Sequence, residues 1–146
     1  MAEEDKELLL KDLCIRLPYK TEIQVNDYAI LTTTLKVGHI SRLLNENLEI
    51  KPYLFPMSSM TEEQKKEFKE ISKCEDEIRD FSGFDSEGVY LIEIGKYEYE
   101  YDIDTTVEQF YFNHEIIDWL NKNHFDYRGL IPKELAIDAT GLDIYL

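Results

Sequence analysis

Apolar and polar positions alternate along this chain with two different periods, and the switches between them mark out its elements. Over residues 4–17, Leu9, Leu10, Leu13, Cys14 and Leu17 recur three and four apart, with Lys6, Lys11, Asp12 and Arg16 between them. That spacing predicts an amphipathic helix. Its acidic start suits the helix dipole, and Pro18 stops it. Thr21–Val25 alternates with period two, Asn26-Asp27 is a turn signal, and Tyr28–Val37 is rich in β-branched residues, so the stretch reads as a β-hairpin. Gly38 breaks the return strand. Residues 39–44 read as a third strand, with a helical turn as the alternative, and 45–47 as a turn. Residues 48–60 form an apolar connector, where Pro52 and Pro56 argue against a helix interior or a central strand. Its large side chains, Tyr53, Leu54, Phe55, Met57 and Met60, require burial across the core.

The second half opens on a clear helix start. Thr61 can cap, Glu62 and Glu63 fill the first turn, and Gln64 sits at the reciprocal capping position. The helix is expected to run to about Asp80, with Phe68, Ile71, Cys74 and Ile78 as a narrow apolar stripe. Residues 81–88 have loop composition, Val89–Ile94 reads as a strand, and Gly95-Lys96 has the form of a two-residue hairpin turn. Tyr97–Asp104 then alternates without a break. As a strand it places Tyr97, Tyr99, Tyr101 and Ile103 on one face and Glu98, Glu100, Asp102 and Asp104 on the other. Residues 105–112 can continue the sheet. Asn113 suits an N-cap for a short helix over His114–His124, with Ile116, Ile117 and Leu120 inward and Trp119 at its edge. A turn at 126–129 and a helical turn after Pro132 complete the chain. The pattern predicts an α+β fold in one domain, residues 1–146. It has a single, mainly antiparallel sheet of about five strands and three covering helices.

Composition supports folding and adds one asymmetry. Hydrophobic residues make up 43% of the 146 positions and aromatics 12%, including ten Tyr and seven Phe. The formal net charge is -15. Residues 1–73 hold 13 acids and 11 bases, while residues 74–146 hold 18 acids and 5 bases. The acidity therefore belongs to the second half. Such a balance opposes direct binding to nucleic acid or to an anionic membrane, both of which need positive charge. No apolar run approaches membrane-spanning length, and none follows the acidic Met1–Asp5 as a leader would require. The reading is a cytoplasmic protein. Cys14 and Cys74, 60 residues apart, are expected as small buried or half-buried apolar groups and not as a redox pair.

Candidate chemistry does not rise above this background. Asp102-Ile103-Asp104-Thr105-Thr106 resembles the Asp-x-Asp-x-Thr loop of haloacid-dehalogenase-type phosphotransferases. That loop follows a hydrophobic parallel strand, and here the preceding strand carries acids and sits in a hairpin. His114-Glu115-Ile116-Ile117-Asp118 resembles a His-Glu-x-x-His zinc helix with Asp in place of the second ligand, and His124 is a weak substitute for a third. No nucleophile elbow and no glycine-rich phosphate loop is present. No catalytic residue, metal site or cofactor is expected. Arg128, in the turn beside Tyr127, is the best single candidate for a polar contact; a salt bridge to Asp126 or Asp118 is its plainer role.

The carboxylates remain. Neighbours on one strand face stand ~6.7 Å apart, so their repulsion in water is roughly 0.6 kcal/mol before screening. An exposed face tolerates that, and a row of like charges also keeps strand edges from pairing. Duplex DNA carries one charge per ~1.7 Å, so one strand face is about fourfold too sparse to mimic it. Residues 75–108 together supply 12 acids and 2 bases. The candidate partner-binding residues are Glu75, Asp76, Glu77, Glu98, Glu100, Asp102 and Asp104.

Three blocks carry a resemblance: Asp12–Tyr19, Ile50–Thr61, and Asp118–Asn121 with His124–Ile131. In this order they resemble short uncharacterised proteins encoded in phages and prophages of gut bacteria. The resemblance implies a small accessory protein of a mobile element, in a bacterial host, and no particular activity. With the charge asymmetry it points to a non-enzymatic interaction protein. Such a protein would bind, and could inhibit, a host defence or nucleic-acid-binding protein with a basic surface. The alternative expectation is a small-molecule binder or minor enzyme with a pocket lined by Tyr and His.

Overall fold

The computed structural model describes residues 1–72, 77–84, 90–99, 102–109 and 114–145. Helix α1 spans Glu3–Arg16 with Glu3, Glu4 and Asp5 in its first turn, and a 3₁₀ turn over Leu17–Tyr19 takes up Pro18. Strands β1 (Glu22–Asn26) and β2 (Ile30–Thr34) form the expected hairpin, with Gln24 opposite Thr32. Helix α2 (Val37–Glu46) follows, then strand β3 (Glu49–Pro56) and helix α3 (Glu62–Ser72). Strands β4 (Glu77–Phe84), β5 (Tyr90–Tyr99) and β6 (Asp102–Gln109) lead to helix α4 (His114–Lys122). Two short strands end the described chain, β7 (Phe125–Asp126) and β8 (Ile137–Asp138).

The fold is α+β, and the strands divide between two sheets where one was expected. The first runs β2–β1–β3–β7, with β8 also on β3. It is mixed: β1 pairs antiparallel with β2 and β3, while β7 and β8 join β3 in parallel. The second is an antiparallel meander, β4–β5–β6. Four α-helices accompany them among the described residues, one more than expected.

The connector over 48–60 is the centre of the first sheet, against expectation. Pro52 is tolerated there for a geometric reason. Leu35 donates to the Thr21 carbonyl at 2.8 Å and Asp27 to that of Ala29 at 3.2 Å. The odd-numbered residues of β1 therefore bond β2, and its even-numbered residues bond β3. Pro52 stands opposite Ile23, an odd position, so its missing N–H costs the β1–β3 ladder nothing. Leu54 then belongs to one buried cluster, with Leu9, Leu13, Ile23, Leu43 and Ile50. The next residue, Phe55, packs against a second, built from Met57, Phe68, Ile116, Leu120 and Phe125. Each fully buried side chain of this size contributes ~1.5–3 kcal/mol of transfer free energy.

Other elements differ from the sequence reading. Residues 39–44 lie in α2, not in a strand. Lys36 N–H donates to His39 Nδ1 at 3.0 Å, and His39 N–H to the Lys36 carbonyl at 3.0 Å, so the helix is capped without a Ser, Thr, Asp or Asn. Helix α3 starts as expected: Thr61 N–H donates to Gln64 Oε1 at 2.9 Å and Gln64 N–H to Thr61 Oγ1 at 3.1 Å. It ends at Ser72, and residues 77–84 form a strand instead of its last turns and the following loop. Cys14 is exposed, not buried; Cys74 and the Asn113 cap lie outside the described residues.

Candidate functional site

The three blocks that stand out in the sequence meet at one place. Arg16 and Asp12, both 0% exposed, pair within α1, Nε to Oδ2, at 2.7 Å. Arg16 Nη2 donates to the Phe125 carbonyl at 2.6 Å, tying α1 to β7. The second Asp12 oxygen takes Arg128 Nη1 at 3.2 Å. Both guanidinium groups lie over the Tyr127 ring, 5.1 and 4.9 Å from its centroid. Tyr127 Oη donates to Asn121 Oδ1 at 2.9 Å, and Tyr19 Oη to Asp118 Oδ1 at 2.5 Å. Arg128 thus bridges to Asp12, and neither Asp126 nor Asp118 is its partner. Asp126 instead accepts the backbone N–H groups of Leu130 and Ile131, each at 2.9 Å. Burial pushes its carboxyl up, and those two bonds oppose the shift.

The C-terminal tail closes one side of this centre. Tyr145 stacks on His124, ring centroids 3.7 Å apart and 11° from parallel. Its hydroxyl donates to the Tyr53 carbonyl at 2.7 Å and accepts Glu22 N–H at 2.9 Å. Burial raises the Tyr145 hydroxyl above the usual phenol range. Burial, with the nearby Arg16 charge, holds the His124 imidazole down to about 4. Most of these polar groups are engaged with one another: acid faces base, and the aromatic hydroxyls bond backbone, amide and carboxylate. Arg16 Nη1, Asn121 Nδ2 and His124 Nδ1 are buried without a partner among the described residues. The centre has the chemistry of a structural knot.

The second sheet is built from strands rich in acidic residues. Its three strands carry Glu77, Asp80, Glu93, Glu98, Asp102, Asp104 and Glu108 against Arg79 and Lys96 alone. Glu77 starts β4, opposite Gly95. Glu98 falls in β5, where the register slips between Tyr97 and Tyr99. Asp102 and Asp104 stand in β6 opposite Tyr99 and Lys96. Glu75, Asp76 and Glu100 lie outside the described residues.

The expected row of four carboxylates along one strand does not form. Gly95-Lys96 is not the turn: Gly95 is paired on both sides, with Glu77 and with Thr105. The chain reverses after Tyr99 instead, so Glu98 and the two aspartates belong to adjacent strands. One pair escaped the sequence reading. Asp80 stands directly opposite Glu93, a like-charge register that opposes sheet pairing. The signal for it is Ile78-Arg79-Asp80-Phe81, whose apolar ends fit a strand as well as a helix.

Other candidate chemistry is not assembled. His114 is exposed, and Asp118 is engaged with Tyr19. No group of three His, Cys, Asp or Glu side chains with metal-binding geometry occurs among the described residues. A concavity of about 730 Å³ lies between α1, the end of α2 and residues 133–135, lined by both lysines and glutamates; of these, Lys6 donates to Asn47 and Lys133 pairs with Asp5. A smaller one, about 240 Å³, is lined by Phe55, Phe125, Thr61 and Gln64 among others. No described tyrosine or histidine lines either. No described helix is long and apolar enough to cross a membrane. No protein-family model, curated protein or solved structure matches the chain.

Proposed function

We propose that the protein is a non-enzymatic interaction protein that binds the basic surface of another protein through its β4–β5–β6 sheet. The observation that carries this reading is the register of that sheet, which sets acid against acid at Asp80 and Glu93 on strands with seven carboxylates and two bases. Positive charge from a partner relieves that repulsion, so binding and local sheet stability rise together. Steering by an acidic patch also speeds encounter with a basic surface and penalises acidic ones. The three-block resemblance to phage and prophage proteins supports a bacterial cytoplasmic setting. It favours a host target, a defence or nucleic-acid-binding protein being the kind with a suitable surface, and inhibition as the outcome.

The test compares the wild-type chain with the variant Asp80→Asn, Glu98→Gln, Asp102→Asn, Asp104→Asn in capture from host lysate. Wild type retains a basic protein at low salt and releases it at high salt, and the variant, with unchanged circular dichroism, does not retain it. Equal capture by both chains, or capture indifferent to salt, refutes the reading.

A further inference from the structure

The two sheets treat their edges differently. At the outside of the meander, β6 carries Asp102, Asp104 and Glu108, and β4 carries Glu77 and Asp80 with two register slips, at Arg79 and Ser82. Charge and bulges are the ordinary means of keeping an edge from pairing. Strand β2, the outer strand of the first sheet, has neither. Tyr28–Leu35 reads Tyr-Ala-Ile-Leu-Thr-Thr-Thr-Leu, with no charge, proline or glycine. Its register with β1 is unbroken over five residues. Tyr28 is fully exposed, and Ile30, Leu31 and Val37 are more than half exposed. The bonds Leu35 to Thr21 and Asp27 to Ala29 assign the odd residues of β2 to β1. The N–H and C=O groups of Ile30, Thr32 and Thr34 therefore point away from the sheet.

We propose that this edge docks a second copy of the chain, β2 against β2 in antiparallel register about Thr32. The outward groups admit only registers that pair even-numbered residues with even-numbered ones, and the register about Thr32 engages all three on each copy. Thr32 faces its own counterpart and Ile30 faces Thr34 of the other copy, so six residues satisfy their backbone groups across a two-fold axis. Charge selects the occupant. At a net -15, a second copy is repelled by most of this surface, but β2 is uncharged and lies in the half whose net is only -2. Beyond the ends of the paired strands, Lys36 of each copy comes beside the exposed Tyr28 ring of the other, a cation–π contact made twice, while Asp27 keeps its ion pair with Arg42 at 2.8 Å. Two meanders of like charge are then joined through the part of the chain that carries little of it.

Sedimentation velocity across a concentration series, with residue-resolved amide exchange, tests this independently of any host partner. The expected result is a monomer–dimer equilibrium in which Ile30, Thr32 and Thr34 amides gain protection with concentration, while Leu31, Thr33 and Leu35 are protected throughout. Thr32→Pro removes one outward N–H that β1 does not use. Ile30→Asp leaves the backbone untouched and brings a carboxylate beside Thr34 of the other copy, whose hydroxyl donates to Glu22 Oε1 at 2.6 Å, so that like charges meet. Each is expected to shift the equilibrium to monomer; the Ile30→Asp variant serves if the proline variant fails to fold. A chain that stays monomeric at all concentrations, or a dimer that survives Ile30→Asp, overturns the proposal.

Discussion

The Asp12–Arg16–Arg128 centre and the β4–β5–β6 meander make opposite use of charge. In the centre, one carboxylate serves two guanidinium groups, and Arg16 finds a further acceptor on β7. In the meander, Asp80 stands opposite Glu93 in register. A charge removed from water without a partner costs several kcal/mol, so the interior admits an ion only with a counter-charge or acceptor beside it. A like-charge register on paired strands instead works against their pairing by ~0.2–1 kcal/mol. The same residue types therefore hold the fold in one place and weaken it in the other.

The comparison breaks most visibly at its interior end. Asp12→Ala leaves Arg16 and Arg128 without their shared carboxylate. By the usual cost of opening a buried pair, it destabilises the fold by ~3–5 kcal/mol, measurable by urea unfolding; a loss under 1 kcal/mol would mean the pair is solvated. Next in size, Tyr145→Phe strips a hydroxyl from between Glu22 N–H and the Tyr53 carbonyl. It should cost ~1–3 kcal/mol in the same assay, and a neutral result would show that the tail is not docked.

The pH response follows from His124. Its folded-state value near 4 lies below the ordinary imidazole value of about 6.5. Between those limits the unfolded chain binds the extra proton and the folded one does not, so stability falls as pH drops through the window and the His124 contribution levels off below it. His124 has φ +61, a conformation that Asn accepts. Denaturation at pH 7 and pH 5 should show a smaller fall in His124→Asn than in wild type; equal falls place the titrating group elsewhere. The smallest effect belongs to the meander. Asp80→Asn removes one member of the like-charge pair and should raise stability by ~0.2–1 kcal/mol at low salt, with the gain fading as salt is added. Destabilisation there would contradict the register.

What the sequence disclosed depended on whether local chemistry decides the element. The capping box at Thr61 and Gln64, the helix of α1, the β1–β2 hairpin and the apolar face of α4 are local, and each is present, although α1 buries Asp12 and Arg16 from its expected polar positions and exposes Cys14. The α+β class follows from them. Where tertiary partners decide, local signals misled. Pro52 looked incompatible with a central strand because its harmlessness depends on which edge of β1 faces β3. Gly95-Lys96 had turn chemistry, yet pairing on both flanks keeps it extended. Val37 looked like the end of a strand and Gly38 like a break, yet both lie in α2, where the His39 side chain supplies the cap. The acids of the candidate surface were legible as composition, since charge needs no fold to be counted. Their arrangement on adjacent strands was not, because it hangs on where the chain reverses.

The bond from Arg16 to the Phe125 carbonyl also has a consequence for how the protein is made. It spans 109 residues, and Tyr145 reaches back 123 to Glu22. A chain emerging from the ribosome exposes α1 and the β1–β2 hairpin first, with β3 still lacking its parallel neighbours and Arg16 lacking its backbone acceptor. The first sheet cannot be completed until residues 125–145 are out, since β7, β8 and the tail all dock on it late. Synthesis and folding are thus offset by most of the chain's length. A product cut short before Phe125 would carry an open sheet and a solvent-seeking arginine, and would be a ready target for proteolysis.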